Sequence, residues 1–231
     1  MTSRKIEYRV IAPEADGELV AHMGEVPEAY ARPYDPMRPA LCVDEQPVQL
    51  LKGTGVPIPA TRRHAGHVDS EYGRAGTANV FIFAEPPAGW REAAVRETEA
   101  EVDRAIEMAA LPEGRYGGAE RATVVCDDLN THTTGASHEA FAPAEARQLV
   151  RRIERRCTPK HGSWPSIAED ELGSLTRRCI DGRRLGDARG LRVETKAWSS
   201  DVKDSRRGVD WQKRIDDARS KLKSVYPKIK L

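Results

Sequence analysis

Thr123-Val124-Val125-Cys126-Asp127 places four residues suited to a pleated, buried strand directly before an acid. A short apolar run of this kind, here spanning Arg121 to Cys126, reads as an interior strand of a sheet covered on both faces. A second run does the same: Leu41-Cys42-Val43 closes on Asp44, inside an expected strand from Ala40 to Asp44. A third acid, Glu169, follows Ser-Trp-Pro-Ser-Ile-Ala at an expected helix start. Each acid alone has a plain structural explanation. An Asp after an apolar run is a common turn former, and Ser166 with Glu169 has the spacing of a capping box. Taken together, two acids at strand ends and one on a helix would let distant residues converge as oxygen ligands for divalent metal.

Working outward from these runs, Thr77 to Ala84 reads as the clearest strand, Pro86-Pro87-Ala88-Gly89 as a turn, and Trp90 to Val95 as the antiparallel return. Glu99 to Leu111 has Val102, Ile106 and Ala109 or Ala110 on one helical face, stopped by Pro112-Glu113-Gly114. Pro143 suits the first turn of a helix with Ala146, Leu149, Val150 and Ile153 turned inward. Arg156 to Pro159 reads as a further strand, and the helix from Ser166 presents Ala168, Leu172, Leu175 and Cys179 to the core. Before all of these, residues 1–38 read as a lead-in linker, with a short helix between Gly17 and Tyr30. After them, Val193 to Trp198 and Trp211 to Tyr226 read as short basic helices joined by a polar segment, with Trp198 and Trp211 as packing anchors. The order strand, hairpin strands, helix, strand, helix, strand, helix predicts a mixed sheet flanked by helices, α/β in class.

At 231 residues the chain is long enough for one large core. It has no apolar run of membrane-spanning length and no charged-then-apolar leader, so the expectation is a cytoplasmic chain with no membrane partner. Its four cysteines form no Cys-x-x-Cys pair, which predicts reduced thiols rather than disulfides or zinc. The net charge of +1 conceals a division: residues 1–120 carry 13 Lys and Arg against 20 Asp and Glu, and residues 121–231 carry 24 against 16. The basic half contains clusters around Arg147 to Lys160, Arg177 to Arg192 and Lys213 to Lys230. Such clusters suit phosphate backbone, although solvated helix faces carry the same composition.

Cys-Val-Asp-Glu-Gln-Pro (42–47), Asp-Asp-Leu-Asn-Thr-His (127–132) and Thr-Pro-Lys-His-Gly-Ser-Trp (158–164) occur in order. With Tyr72 to Trp90 and the ending Lys221 to Pro227, they resemble the catalytic core of DDE transposases, and more narrowly the bacterial insertion-sequence 630 family of the mariner superfamily. The resemblance implies an RNase H-like fold over residues 39–186, with 187–231 as a basic helical extension packed on or near the core. It implies a DNA endonuclease and strand transferase using two Mg²⁺ or Mn²⁺ ions, with Asp44, Asp127 and Glu169 as catalytic and metal-binding residues. By the same resemblance Asn130, His132, Lys160 and His161 are candidate DNA contacts, and the first basic cluster adds Arg151, Arg152 and Arg155 on the strength of its charge. The implied partners are transposon ends, target DNA and a second copy in a homodimer.

The chain also departs from that pattern. Asp128 stands where relatives usually have Asn, and Pro165-Ser166 replaces Leu-Asn ahead of the third acid, with Glu171 as a weaker substitute for Glu169. Residues 1–40 are neither long nor basic enough for the family's helix-turn-helix segments. The expectation is therefore a partial transposase: the second half of a frameshifted insertion sequence, a remnant, or a core acting with a separate helix-turn-helix chain. The competing readings are a catalytically degraded DNA-binding remnant and a general RNase H-like nuclease.

Overall fold

The computed structural model describes residues 25–67, 69–98, 101–127, 134–158 and 166–205. They form a five-stranded mixed sheet in the order β3-β2-β1-β4-β5. Strands β1 (Ala40–Gly53), β2 (Tyr72–Glu85) and β3 (Trp90–Arg96) make an antiparallel meander, while β4 (Ala122–Cys126) and β5 (Ile153–Cys157) add in parallel on the other side of β1. Parallel neighbours require crossovers. One is helix α2 (Glu101–Glu113), and the other is the pair α3 (Thr134–Ala140) and α4 (Pro143–Arg152). Helix α1 (residues 25–31), α5 (Ile167–Leu175) and α6 (Ala188–Asp204) complete the layers.

Alternation along the strands divides the core in two. Cys42, Val48, Leu50, Val80, Ile82, Ala84 and Val125 face α1, α5 and α6, whereas Leu41, Val43, Phe81, Phe83 and Val124 face the α2 side. At roughly 25 cal/mol per Å² of apolar surface removed from water, these two layers are the main stabilising term. Between β2 and β3 the expected Pro86 to Gly89 turn is present, closed by Gly89 N–H donating to the Pro86 carbonyl at 3.2 Å. Gly89 there has φ +66°, which glycine adopts without steric cost.

Several boundaries differ from the sequence reading, each for a tertiary reason. β1 does not stop at Asp44: β2 pairs with it as far as Gly53, well past the last β4 contact at Cys42. The β1–β2 ribbon then leads into exposed residues 54–67 and 69–71, held by an isolated Ile58–His67 bridge and braced by Arg184 donating to the Ser70 and Glu71 carbonyls. The strand expected at Arg156 to Pro159 begins earlier, at Ile153, whose φ −116° and ψ 121° end α4 and start the pairing with Ala122. On α2 the most buried residues are Arg104, Ala105, Ala109 and Leu111, while Val102 and Ile106 are half-buried.

Both ends of the described chain belong to the core. The described part of the helix expected before Tyr30 is α1, and it buries Val26, Ala29 and Tyr30 against the sheet. At the other end, the short helix expected from Val193 to Trp198 is a 17-residue helix, capped by Asp187 accepting from Gly190 N–H at 2.7 Å. It packs chiefly on β3, and Trp198 is buried as expected of an anchor. Trp211 and the helix expected from Trp211 to Tyr226 lie outside the described residues. All four cysteines are free. Among the described residues no helix is long and apolar enough to cross a membrane.

Candidate functional site

The parallel register of β1 and β4 pairs Leu41 with Val124 and Cys42 with Val125. One further pleat takes both chains to an acid, Asp44 on β1 and Asp127 immediately after β4. Because strand side chains alternate with a period of two, Asp44 shares the face of Cys42, and Asp127 that of Val125. Asp44 therefore points to the α5 side, and Asp127 stands beside it at the place where β1 and β4 cease to pair. Asp44 was expected at a strand tip and is an interior residue of β1. The strand tip is supplied by β4, which ends beside it.

Helix α5 closes the site from above. Ser166 caps its first turn, its hydroxyl accepting from Glu169 N–H at 3.3 Å. This is the serine half of the capping box, the structural explanation that the sequence offered for Glu169. Gln46, on the same face as Asp44, donates through Nε2 to the Thr176 hydroxyl at 2.7 Å, tying β1 to the π-helical turn Thr176–Ile180 that continues α5.

The charges of the three acids bear on one another's titration. Burial, then the charges of Asp127 and Glu169, push the Asp44 carboxyl up to about 7, with Arg104 opposing. Burial, then Asp170 and Asp127, raise Glu169. Desolvation and like charge both disfavour the ionised acid, so the site is short of positive charge. Arg104 supplies some of it from the α2 side. It is buried, pairs closely with Glu45 and lies 5.9 Å from the Phe81 ring centre. Burial lowers the pKa of Arg104, while Asp127, Cys126 and Asp44 act the other way. Sequence reading missed Arg104. The only signal for it was an arginine one position before Ala105 on an otherwise apolar helix face.

The structure also separates Glu169 from Glu171. Glu171 is turned into the core, where its Oε1 accepts from Arg91 Nη2 at 2.7 Å, and the two side chains are 4% and 0% exposed. The residue named as a weaker substitute for Glu169 is thus paired with Arg91 in the core.

The candidate DNA contacts fall into two groups. Asn130, His132, Lys160 and His161, together with Asp128 and Pro165, lie outside the described residues. Of the arginines, Arg151 is exposed, and Arg155 lines an open cleft of about 290 Å³ with Arg121, Ser137, Val150 and Ile153. Arg152 is half-buried and bonded within the fold. Its Nη2 donates to the Tyr116, Gly117 and Ala119 carbonyls at 2.9, 3.1 and 3.1 Å, holding the segment that leads from α2 toward β4.

No protein-family model and no curated protein matches the sequence. Solved structures do match. A pre-cleavage Mos1 transpososome aligns over 100% of this chain and 68% of that one, with TM-score 0.58 and 12% identity. A Mos1 mariner paired-end complex with Mn aligns over 97% and 66%, with TM-score 0.54 and 11% identity. The corresponding complex with Mg aligns over 98% and 68%, with TM-score 0.53 and 13% identity. The chain thus spans about two thirds of the length of those proteins. The likeness establishes the fold: an RNase H-like mixed sheet flanked by helices, as in the catalytic domains of mariner transposases.

Proposed function

We propose that this chain is the catalytic core of a DDE transposase, of insertion-sequence 630 type within the mariner superfamily, which cuts and rejoins DNA at transposon ends. The observation that carries the reading is that Asp44 of β1 and Asp127 after β4 sit where these paired strands part, with Glu169 on the first turn of α5 bearing on the titration of Asp44, within a fold shared with mariner transposases. Mg²⁺ or Mn²⁺ fits the donor chemistry, because the set offers carboxylate oxygens only, and a divalent cation offsets the charge that burial and repulsion penalise. Among the described residues no three His, Cys, Asp or Glu side chains are already grouped as a metal cage. When bound, a pair of such ions would activate a nucleophile and stabilise the leaving oxygen at a DNA phosphate.

The protein's own part is positioning. Asp44 and Asp127 would hold the shared ligand position from two neighbouring strands, and Glu169 would complete it and orient water from the rigid first turn of α5. Arg104 restrains the negative potential from behind the sheet. The reading extends to a cytoplasmic protein, a homodimer and a partner helix-turn-helix chain. Incubating the purified chain with terminal-repeat DNA and Mn²⁺ tests it; neither cutting nor joining in any metal would reject it. The reading to set against it is a catalytically degraded DNA-binding remnant, and that protein would bind DNA without nicking it.

The acids impose a pH signature. Asp44 and Glu169 hold protons more tightly in the folded chain than in the unfolded one, so the native state binds the extra proton between about pH 4, the unfolded value, and about 7, where Asp44 titrates. Stability linked to these groups is present below that window and is lost as pH rises through it, the reverse of the usual carboxylate behaviour. The metal-free thermal midpoint should therefore fall between pH 4 and 7, with Mn²⁺ raising it more at pH 8 than at pH 5. A midpoint that climbs across the window in wild type but not in Asp44→Asn would contradict the assignment.

DNA binding should be electrostatic. With six phosphates neutralised, affinity for duplex is expected to drop by about a thousandfold between roughly 50 and 200 mM salt. Scrambling the terminal-repeat sequence should change it by less than about threefold. A marked preference for one repeat at fixed salt would show that the chain itself reads bases.

A further inference from the structure

We infer that Arg91 is a positioning residue that sets the rotation of α5 and thereby decides which glutamate reaches the acid pair. The inference rests on the transposase reading above. Arg91 registers with Ala84 of β2 and lies on the same face of β3 as Ala93 and Val95, inside the apolar layer beneath α5 and α6. It is fully buried, and apart from the bond to Glu171 its Nε and Nη1 find no acceptor among the described residues. A buried charge pair with donors left over is a poor way to stabilise a core, since apolar side chains of similar volume fill such a space as well or better.

What the pair does supply is direction. The stripe Ala168, Leu172 and Leu175 fixes the inward side of α5 only to within a broad arc. A 2.7 Å charge-assisted bond from a residue on a rigid strand selects one angle within that arc. Successive helical residues are about 100° apart, so Glu171 and Glu169 diverge by about 200°. With Glu171 drawn toward β3, Glu169 is turned the other way, toward the β1–β4 side of the sheet that carries Asp44 and Asp127. A change at Arg91 is then felt at Glu169 through the rotation of one short helix.

The test is the Arg91→Met/Glu171→Met double variant of the full chain, compared with wild type and Asp127→Asn. Its thermal midpoint should equal or exceed that of wild type. Amide exchange in the first turn of α5 should accelerate by about tenfold while β1 and β2 keep their protection. Mn²⁺ affinity, followed by electron paramagnetic resonance, should weaken by about tenfold, as for other residues that orient metal ligands. Unchanged exchange in α5 together with unchanged Mn²⁺ affinity would overturn the inference. If wild type binds no Mn²⁺ through Asp127 yet the variant's α5 still loosens, the transposase reading fails and the positioning role stands. If wild type binds Mn²⁺ through Asp127 and the variant binds it equally well, the positioning role fails alone. Should the double variant not fold, Arg91→Lys keeps the charge but shifts the bond; wild-type exchange and affinity in that variant would equally overturn the inference.

Discussion

Asp44→Asn should abolish metal-dependent nicking while making the metal-free protein more stable. The two effects have one cause. At pH 8 the wild-type Asp44 is ionised although burial and two neighbouring acids push its carboxyl up to about 7. An elevation of that size corresponds to ~2 to 4 kcal/mol of strain relieved by the neutral, nearly isosteric amide. The same substitution removes a carboxylate from the set proposed to hold the metals, and loss of one such ligand should lower the rate by about a thousandfold or more. Asp127→Asn should match it in activity, whereas Asp128→Asn should cost less, because Asp127 follows β4 directly. Nicking of supercoiled plasmid in Mn²⁺ and a metal-free thermal melt at pH 8 measure both sides. Retention of nicking by Asp44→Asn, or a melt lowered by several degrees, would separate Asp44 from the proposed site. A residue whose removal stabilises the fold is kept for what it does there, which is the usual relation between strained sites and activity.

The face on which these acids lie was open to sequence reading for a simple reason. Parallel pairing of two short apolar runs, each ending on Asp, leaves little freedom in register once β-alternation is imposed, and Val43 and Cys126 precede the acids at equal offsets. The third acid was harder to place. Glu169 and Glu171 are two residues apart on a short helix, and helical periodicity alone puts Glu171 beside Leu172 on the apolar side. What distinguishes the two is the pairing of Glu171 with Arg91, 80 residues earlier in the chain, and no local pattern announces it. Arg104 was missed for the same reason, since its partner Glu45 belongs to a distant strand. The length of β1 was underestimated because Asp44, Glu45 and Gln46 interrupt its apolar run. Their pairing with Ile82, Phe81 and Val80 of β2 carries the strand through them. Polar residues inside a strand read as its end unless the partner strand is known.

The same limitation governed the last helix, and it leads to the largest stability effect expected. Arg189, Arg192, Lys196 and Lys203 gave residues 188–204 the look of a basic extension, yet Ala188, Leu191, Trp198 and Val202 are buried in the layer that also holds Val80, Ile82 and α5. Ser199 accepts from Ala93 N–H at 3.1 Å, and Arg192 donates to the Val95 carbonyl at 3.2 Å, so α6 covers β3 with hydrogen bonds as well as apolar contact. Trp198, 3% exposed, is the largest apolar side chain that α6 contributes. Trp198→Ala should therefore cost about 3 to 5 kcal/mol, the range for truncating a buried aromatic residue whose space cannot collapse. Lys196→Ala, on the exposed side of the same helix, should stay within about 0.5 kcal/mol of wild type. Urea unfolding of both variants decides the matter. If Trp198→Ala unfolds at nearly the wild-type midpoint, α6 is an appendage and its charges are its reason for being there. If it unfolds early, α6 is a wall of the core: it backs β3, whose Arg91 holds Glu171, and the support of α5 runs through it.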